Sequence, residues 1–139
     1  MAIAEGRTLP FVGPEQVDVA VLETFDYTGP EQEIETVTDE FTAVCPYSGL
    51  PDFAKLTIRY VPGEKCIELK SLKYYVTSYR NVGIFQEHAT AKIAEDLVVS
   101  RRVEVLVHHV DARPRSDLAY ARGQTALADH HLRHWGHFA

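Results

Sequence analysis

The sequence predicts an α+β fold, an antiparallel sheet with a helix pair on one face, in the order strand, strand, helix, helix, strand, strand. Three observations carry that prediction. Residues 54–61 alternate, with Leu56, Ile58 and Tyr60 on one side and Lys55, Thr57 and Arg59 on the other, as in a half-buried antiparallel strand. Leu72, Tyr75, Val76 and Tyr79 recur at three- and four-residue steps, which makes one apolar stripe on a helix. Strand-forming residues gather at 33–44 and 103–110, either side of the helical stretch, so strands and helices are segregated rather than alternating.

Taken in order, residues 1–16 carry Pro10, Gly13 and Pro14 without a sustained period and read as an irregular arm. Residues 17–25 are rich in β-branched and apolar side chains and read as an early strand or ordered extension. Tyr27-Thr28-Gly29-Pro30 is a turn. The strand over 33–44 has Ile34, Thr36, Val37, Phe41 and Val44 as inward candidates, and Pro46, Gly49 and Pro51 stop it in a tight loop. After the 54–61 strand, Pro62-Gly63 turns the chain into a short strand over 65–69. Ser71 then caps a helix running to about Arg80, and Asn81-Val82-Gly83 ends it. A second helix starts near Phe85, carries Ala89, Ile93, Ala94, Leu97 and Val98, and breaks at Ser100-Arg101-Arg102. Residues 103–110 form the clearest strand, 112–116 with Pro114 a connector, and 117–128 a weaker strand pairing back as a hairpin.

At 139 residues the chain suits one domain, spanning 1–139, with the 1–16 arm and a tail over 130–139 at its ends. A net charge of −6 argues against gripping long nucleic acid through its phosphates, so no direct nucleic-acid binding is expected. No apolar run approaches the ~20 residues of a membrane span, and no basic-then-apolar leader is visible. Two cysteines do not make a disulfide framework, and a cytoplasmic location follows as the default. Lys70, Lys73 and Arg80 form a local basic cluster able to take a small anion; Arg101-Arg102 reads as a solvated face. His130, His131, His134 and His137 lack an acidic or cysteine partner at clean spacing, so no metal site is assigned.

The chemistry concentrates on Cys45, a thiol at the end of a strand on a loop with rigid flanks, with Asp52 where that loop feeds the next strand. The pair suits nucleophilic attack by a thiolate with proton transfer by the acid. A buried structural cysteine is the plainer reading of Cys45 taken alone. Three blocks stand in order: Cys45-Pro46 through Gly49, Pro51-Asp52-Phe53; Cys66-Ile67-Glu68-Leu69-Lys70-Ser71-Leu72-Lys73-Tyr74-Tyr75; and Asn81-Val82-Gly83-Ile84-Phe85-Gln86-Glu87-His88. Together they closely resemble the NADPH-dependent 7-cyano-7-deazaguanine reductases, the nitrile reductases of queuosine biosynthesis, over residues 38–97 and more loosely beyond. The short length resembles the family's single-module branch.

The resemblance implies a tunnelling fold (T-fold) of ββααββ order, in homo-oligomers with active sites between subunits. It implies that Cys45 adds to the nitrile carbon of 7-cyano-7-deazaguanine to give a thioimide, with Asp52 as general acid. NADPH then reduces the carbon twice, to 7-aminomethyl-7-deazaguanine. Glu87 matches the acid that anchors the base, Ile67, Glu68 and Leu69 match the pocket-lining segment, and Lys70, Ser71 and Lys73 lie in the NADPH block. Phe85 is open between stacking on the base and packing in the core. Gln86 departs from the family, which commonly has His there, so proton transfer falls to Asp52, water or His88. No Gly-x-Gly-x-x-Gly fingerprint occurs, which excludes a Rossmann source of cofactor binding. Two alternatives are a thioimide-forming amidinotransferase of archaeosine formation and a non-catalytic purine-binding module of the same fold. The first lacks the Lys-Ser-Leu-Lys block, and the second would tolerate loss of Cys45 or Asp52.

Overall fold

Alternation along β3 (Pro51–Val61) buries Ala54, Leu56, Ile58 and Tyr60 on one face and leaves Lys55 and Arg59 on the other, as expected. The computed structural model describes residue 6, residues 9–99 and residues 106–114. Before β3 come β1 (Thr24–Asp26) and β2 (Ile34–Val44); after it come β4 (Lys65–Ile67), α1 (Leu69–Thr77), α2 (Gln86–Val99) and β5 (Leu106–Pro114). β2, β3 and β5 form one antiparallel sheet in that order, and β1 pairs β4 in a second, two-stranded one.

β2 and β3 pair from Ile34↔Tyr60 to Val44↔Pro51, with a register shift between Thr38 and Phe41. Asp39 and Glu40 there stand against Lys55 alone, a β-bulge that reverses the inward parity of the strand. Thr36 and Thr38 therefore share the β3 core face before the bulge, and Phe41 and Ala43 share it after. Val37, expected inward, is 45% exposed, because the residues on its side of the bulge face in at even numbers. β5 continues through Pro114, paired with Ala54, where a connector was expected. A proline is tolerated at the last position of a strand on the edge of a sheet.

Residues 17–25, expected as an early strand or ordered extension, are an ordered extension that ends in a short strand. Val19–Val21 is a 3-10 turn, with Val17 and Leu22 buried on either side, and Thr24–Asp26 is extended and pairs with β4. Burial of those two side chains outweighs the β propensity of residues 17–23.

α1 is capped by Glu68, not Ser71: the Glu68 carboxylate accepts from the Lys70 and Ser71 amides at 2.9 and 2.7 Å. The strand before it ends at Ile67 rather than residue 69. α1 passes into a 3-10 turn, Ser78–Asn81, which keeps Tyr79 on the buried stripe with Leu72 and Tyr75. α2 buries Ala89, Ile93 and Leu97 in the same core as the inward face of β3, and packs against β5. The helices are also tied by a buried polar chain: Tyr75 donates to Asp96 at 2.7 Å, Tyr79 lies 3.0 Å from the Tyr75 hydroxyl, and Lys92 pairs with Asp96. Burial first, then Tyr79 and Asp96, push the Tyr75 hydroxyl above its ordinary range; burial and Asp96 raise Tyr79 against the opposing bond to Tyr75, so both stay protonated.

Among the described residues no helix is long and apolar enough to cross a membrane. The expected strand over 117–128, the start of the 103–110 strand, the break at 100–102 and the histidine tail lie outside the described residues.

Candidate active site

Cys45 begins the loop that joins β2 to β3, and backbone bonds close that loop. Its N–H donates to the Leu50 carbonyl at 2.9 Å, and its carbonyl accepts from Gly49 at 2.8 Å. Gly49 has φ +72°, and a Cβ there would stand 2.4 Å from the Leu9 carbonyl oxygen, so the position requires glycine. The Ser48 hydroxyl accepts from the Leu50 N–H at 3.2 Å, which turns that side chain back into the loop.

A second set of bonds brings in the third sequence block. Val44 donates to Val82 at 2.9 Å and accepts from Ile84 at 3.0 Å, forming a parallel bridge to Gly83. Val82-Gly83-Ile84 leads directly through Phe85 into the first turn of α2, where Glu87 stands. This short splice sets Glu87 beside the cysteine hairpin. The arm joins it as well: Val12 donates to Asn81 at 2.9 Å and accepts from Gly83 at 2.8 Å. Phe11 occupies the space that a Cβ on Gly83 would fill. Within the expected irregular arm, Leu9–Val12 is thus an ordered strap over the Cys45 loop.

The electrostatics tie three side chains together. Cys45 is half-buried and its thiol sits below the ordinary range; the hydrogen bond from the Ser48 side chain lowers it most, burial opposes, and the Ser48 and Tyr47 backbone bonds lower it further. Asp52 contributes a small upward push on that thiol. Asp52 itself is raised, first by burial and then by the negative charge of Glu87. The two shifts converge, and their sign matters. A thiolate beside a protonated carboxyl is the reactive tautomer, and every unit by which the two values approach enriches it about tenfold.

The remaining predicted residues are placed as follows. Glu87 is exposed in the first turn of α2, where the helix dipole favours a carboxylate. Phe85 is 50% exposed, edge-on to His88 at 6.1 Å, and so stands outside the core. Gln86 is half-buried, and its carbonyl accepts from Thr90 at 2.8 Å. Ile67 is buried, its N–H donating to the Tyr60 hydroxyl at 3.2 Å, while Leu69 is exposed. Glu68 is held below the usual carboxylate range by the Lys70 and Ser71 amides it caps. Lys70 and Lys73 are exposed on α1. Ser71 is buried: its hydroxyl accepts from Glu23 and donates to the Glu68 carbonyl, so it is occupied within the chain.

No hydrogen bond or electrostatic influence links Glu68 to Glu87 among the described residues. α1 and the following 3-10 turn separate Glu68 from Val82, on the order of 20 Å of helix. Among the described residues no cluster of three His, Cys, Asp or Glu side chains suits a metal.

The sequence model of the QueF-like protein family matches residues 51–116. The NADPH-dependent 7-cyano-7-deazaguanine reductase of Caldanaerobacter subterraneus is 58% identical over 94 residues, covering 66% of this chain and 70% of that protein. Its namesake in Thermoanaerobacter pseudethanolicus is 60% identical over 94 residues, with 66% and 71% covered. That of Thermotoga maritima is 53% identical over 98 residues, with 70% and 72% covered. The chain belongs to this reductase family.

Sequence reasoning missed Ser48 and the strap. For Ser48 a signal was present, a hydroxyl residue three after the thiol inside a Pro- and Gly-bounded turn. For the strap there was none, since Leu9–Val12 has no period and its contacts are all with distant residues.

Proposed function

We propose that the chain reduces the nitrile of 7-cyano-7-deazaguanine to the primary amine, 7-aminomethyl-7-deazaguanine, with two equivalents of NADPH, in queuosine biosynthesis. The observation that carries this reading is the splice of Val44 to Val82–Ile84, which sets Cys45, Asp52 and Glu87 in one electrostatic neighbourhood.

Glu87 accepts the amine and ring N–H of the deazaguanine, since a carboxylate offers two acceptor oxygens. Phe85, exposed just before it, offers a face for the base. The Cys45 sulfur adds to the nitrile carbon as the Asp52 proton passes to the nitrile nitrogen, giving a thioimide with no net change in protons. The Ser48 hydroxyl stabilises the attacking thiolate before the bond forms. NADPH, when bound, supplies the hydrides. Lys70 and Lys73 suit its phosphates, since they are exposed cations without an ion pair among the described residues. Ser71, buried and doubly bonded, is left with a structural part.

The finer architecture follows from the same reading: one T-fold domain, cytoplasmic, working as a homo-oligomer with sites between subunits. Three features support the homo-oligomer. β2 is an edge of its sheet among the described residues, and Val37, Tyr47, Leu50 and Phe53 are exposed along β2, β3 and their loop. The separation of Glu68 from Glu87 suits a base held between two copies, with Glu68, Leu69 and the backbone of Ile67 reaching in from one of them.

The test is mass spectrometry after mixing the protein with the nitrile alone, followed by addition of NADPH. A single adduct that maps to Cys45, persists in Cys66→Ala and is lost in Cys45→Ala is expected, and NADPH should discharge it to the amine. An adduct surviving Cys45→Ala, or one discharged by ammonia but not NADPH, overturns the reading.

A further inference from the structure

The lysines and arginines over residues 9–98 fall into two groups. Lys55, Arg59, Lys65 and Lys92 are each paired, with Asp39, Glu35, Asp26 and Asp96. Lys70, Lys73 and Arg80 have no carboxylate within ion-pair distance among the described residues, and all three lie on α1 or its 3-10 extension. On a chain of net charge −6, with carboxylates in excess, unpaired cations gathered on one element mark a place where an anion is to come.

Two of the three line one cleft. It measures ≈380 Å³ and lies between α1 and the core-facing side of β2, an edge strand of its sheet among the described residues. Its polar lining is Thr36, Thr38, Glu40, Lys73, Thr77 and Arg80, over an apolar floor. Lys73, Thr77 and Arg80 follow one another at steps of four and three and so stand on one helix face. Thr36 and Thr38 face them because both lie before the bulge, on the inward parity of β2. Glu40 alone opposes, leaving the lining with one cation in surplus. Arg80 also lines the neighbouring hollow, with Asp39, Glu40, Thr42 and Phe53.

We infer that this cleft takes the 2′-phosphate of NADPH, with Lys73 and Arg80 as its charged donors, and that Arg80 determines specificity for the phosphorylated cofactor. The inference rests on the nitrile-reductase reading for the identity of the ligand. A phosphomonoester is a compact dianion, and an Arg fork, an ammonium and hydroxyl donors around an enclosed volume match it better than a flat surface does. The cleft is within the size range of small-ligand sites.

The test is calorimetric titration of the full chain with adenosine 2′,5′-bisphosphate and, separately, 5′-AMP, for the parent and for Arg80→Gln, beside steady-state KM values for NADPH and NADH. The parent should favour the 2′-phosphorylated ligand by about tenfold or more, and Arg80→Gln should lose most of that preference. NADPH KM should rise in the variant, with NADH KM unchanged and the Cys45 adduct formed at the parental rate, which also shows the variant folded. An equal loss for both nucleotides would assign the cleft to a phosphate common to the two cofactors and overturn the inference. So would a preference in the parent that Arg80→Gln retains, or no preference in the parent. A parent that forms no adduct and oxidises no NADPH, yet keeps an Arg80-dependent preference, would instead remove the nitrile-reductase reading and leave the phosphate site.

Discussion

Gly49→Ala tests whether the strap and the nucleophile loop are one mechanical unit. Gly49 adopts φ +72°, a conformation that costs a residue with a Cβ about 1–2 kcal/mol. The new Cβ would also lie 2.4 Å from the Leu9 carbonyl oxygen and 2.6 Å from its nitrogen. Both are backbone atoms, so no rotamer change relieves the overlap; the strap or the loop must move, at a further cost of about 1–2 kcal/mol. The Leu9–Ser48 bond is already 3.4 Å long, and its loss adds little. The sum is a destabilisation of ~2–4 kcal/mol. Urea denaturation of the full chain reads that number, and alkylation of Cys45 by iodoacetamide reads whether the loop has changed shape. The expected pair of results is a lowered midpoint and a slower, more alkaline alkylation profile, because displacing the loop separates Ser48 from the sulfur. Gly13→Ala is the control: the atoms nearest its Cβ belong to the Glu15 carboxylate, the far end of an exposed side chain that can swing away, and its φ of −81° suits any residue, so a change within about 0.5 kcal/mol is expected. A Gly49→Ala protein with parental stability and alkylation would refute the coupling of strap to loop.

Further outcomes follow from the same geometry. Ser48→Ala should move the alkylation midpoint of Cys45 to higher pH, and Ser48→Thr should restore it; unchanged midpoints would remove Ser48 from thiolate stabilisation. Glu87→Gln removes a charge that raises Asp52, so in single-turnover adduct formation at saturating nitrile the acidic limb should shift to lower pH and the maximum should fall. That sign follows because the one-proton state of the pair begins where Asp52 first loses its proton, and a lower Asp52 value depletes the reactive tautomer. An acidic limb that stays in place would separate the two carboxylates. Tyr75→Phe deprives the Asp96 carboxylate of its 2.7 Å donor and the buried Tyr79 hydroxyl of its partner, at about 1.5–3 kcal/mol by urea denaturation; stability within error of the parent would show the chain of bonds to be dispensable.

The periodic parts of the fold were legible because their signals are local. β3 and the α1 stripe bury the residues the pattern named, Leu56, Ile58 and Tyr60, and Leu72, Tyr75 and Tyr79. The misses were of two kinds. The parity of β2 is set by a bulge against Lys55 and the turn at Val19–Val21 by the burial of Val17 and Leu22, both through distant partners; the α1 cap is local and went to Glu68 because its carboxylate reaches two amides at once. The site divides in the same way. Cys45 and Asp52 share one hairpin, so their neighbourhood was readable from spacing. Glu87 reaches them only through the bridge of Val44 to Gly83, a long-range pairing with no sequence period.

The two cysteines show why residue type alone does not choose between them. Cys45 follows β2 and Cys66 lies within β4, and both have a hydroxyl for company. Cys66 is 6% exposed on β4, its sulfur 3.1 Å from the Tyr60 hydroxyl, which also accepts the Ile67 amide. Burial and the sulfur hold the Tyr60 proton above its ordinary range, so that hydroxyl stays a neutral partner in a packed core and the thiol has no path to a substrate. Cys45 has the opposite surroundings: a loop that must turn through a left-handed glycine, which folds Ser48 back toward the sulfur and keeps the thiol at the surface. The strap from Leu9 to Val12 then fixes that loop against Val82–Gly83. Reactivity at Cys45 is accordingly a property of the turn and its clamp, and a thiol moved elsewhere on the same hairpin would have neither the donor nor the acid beside it.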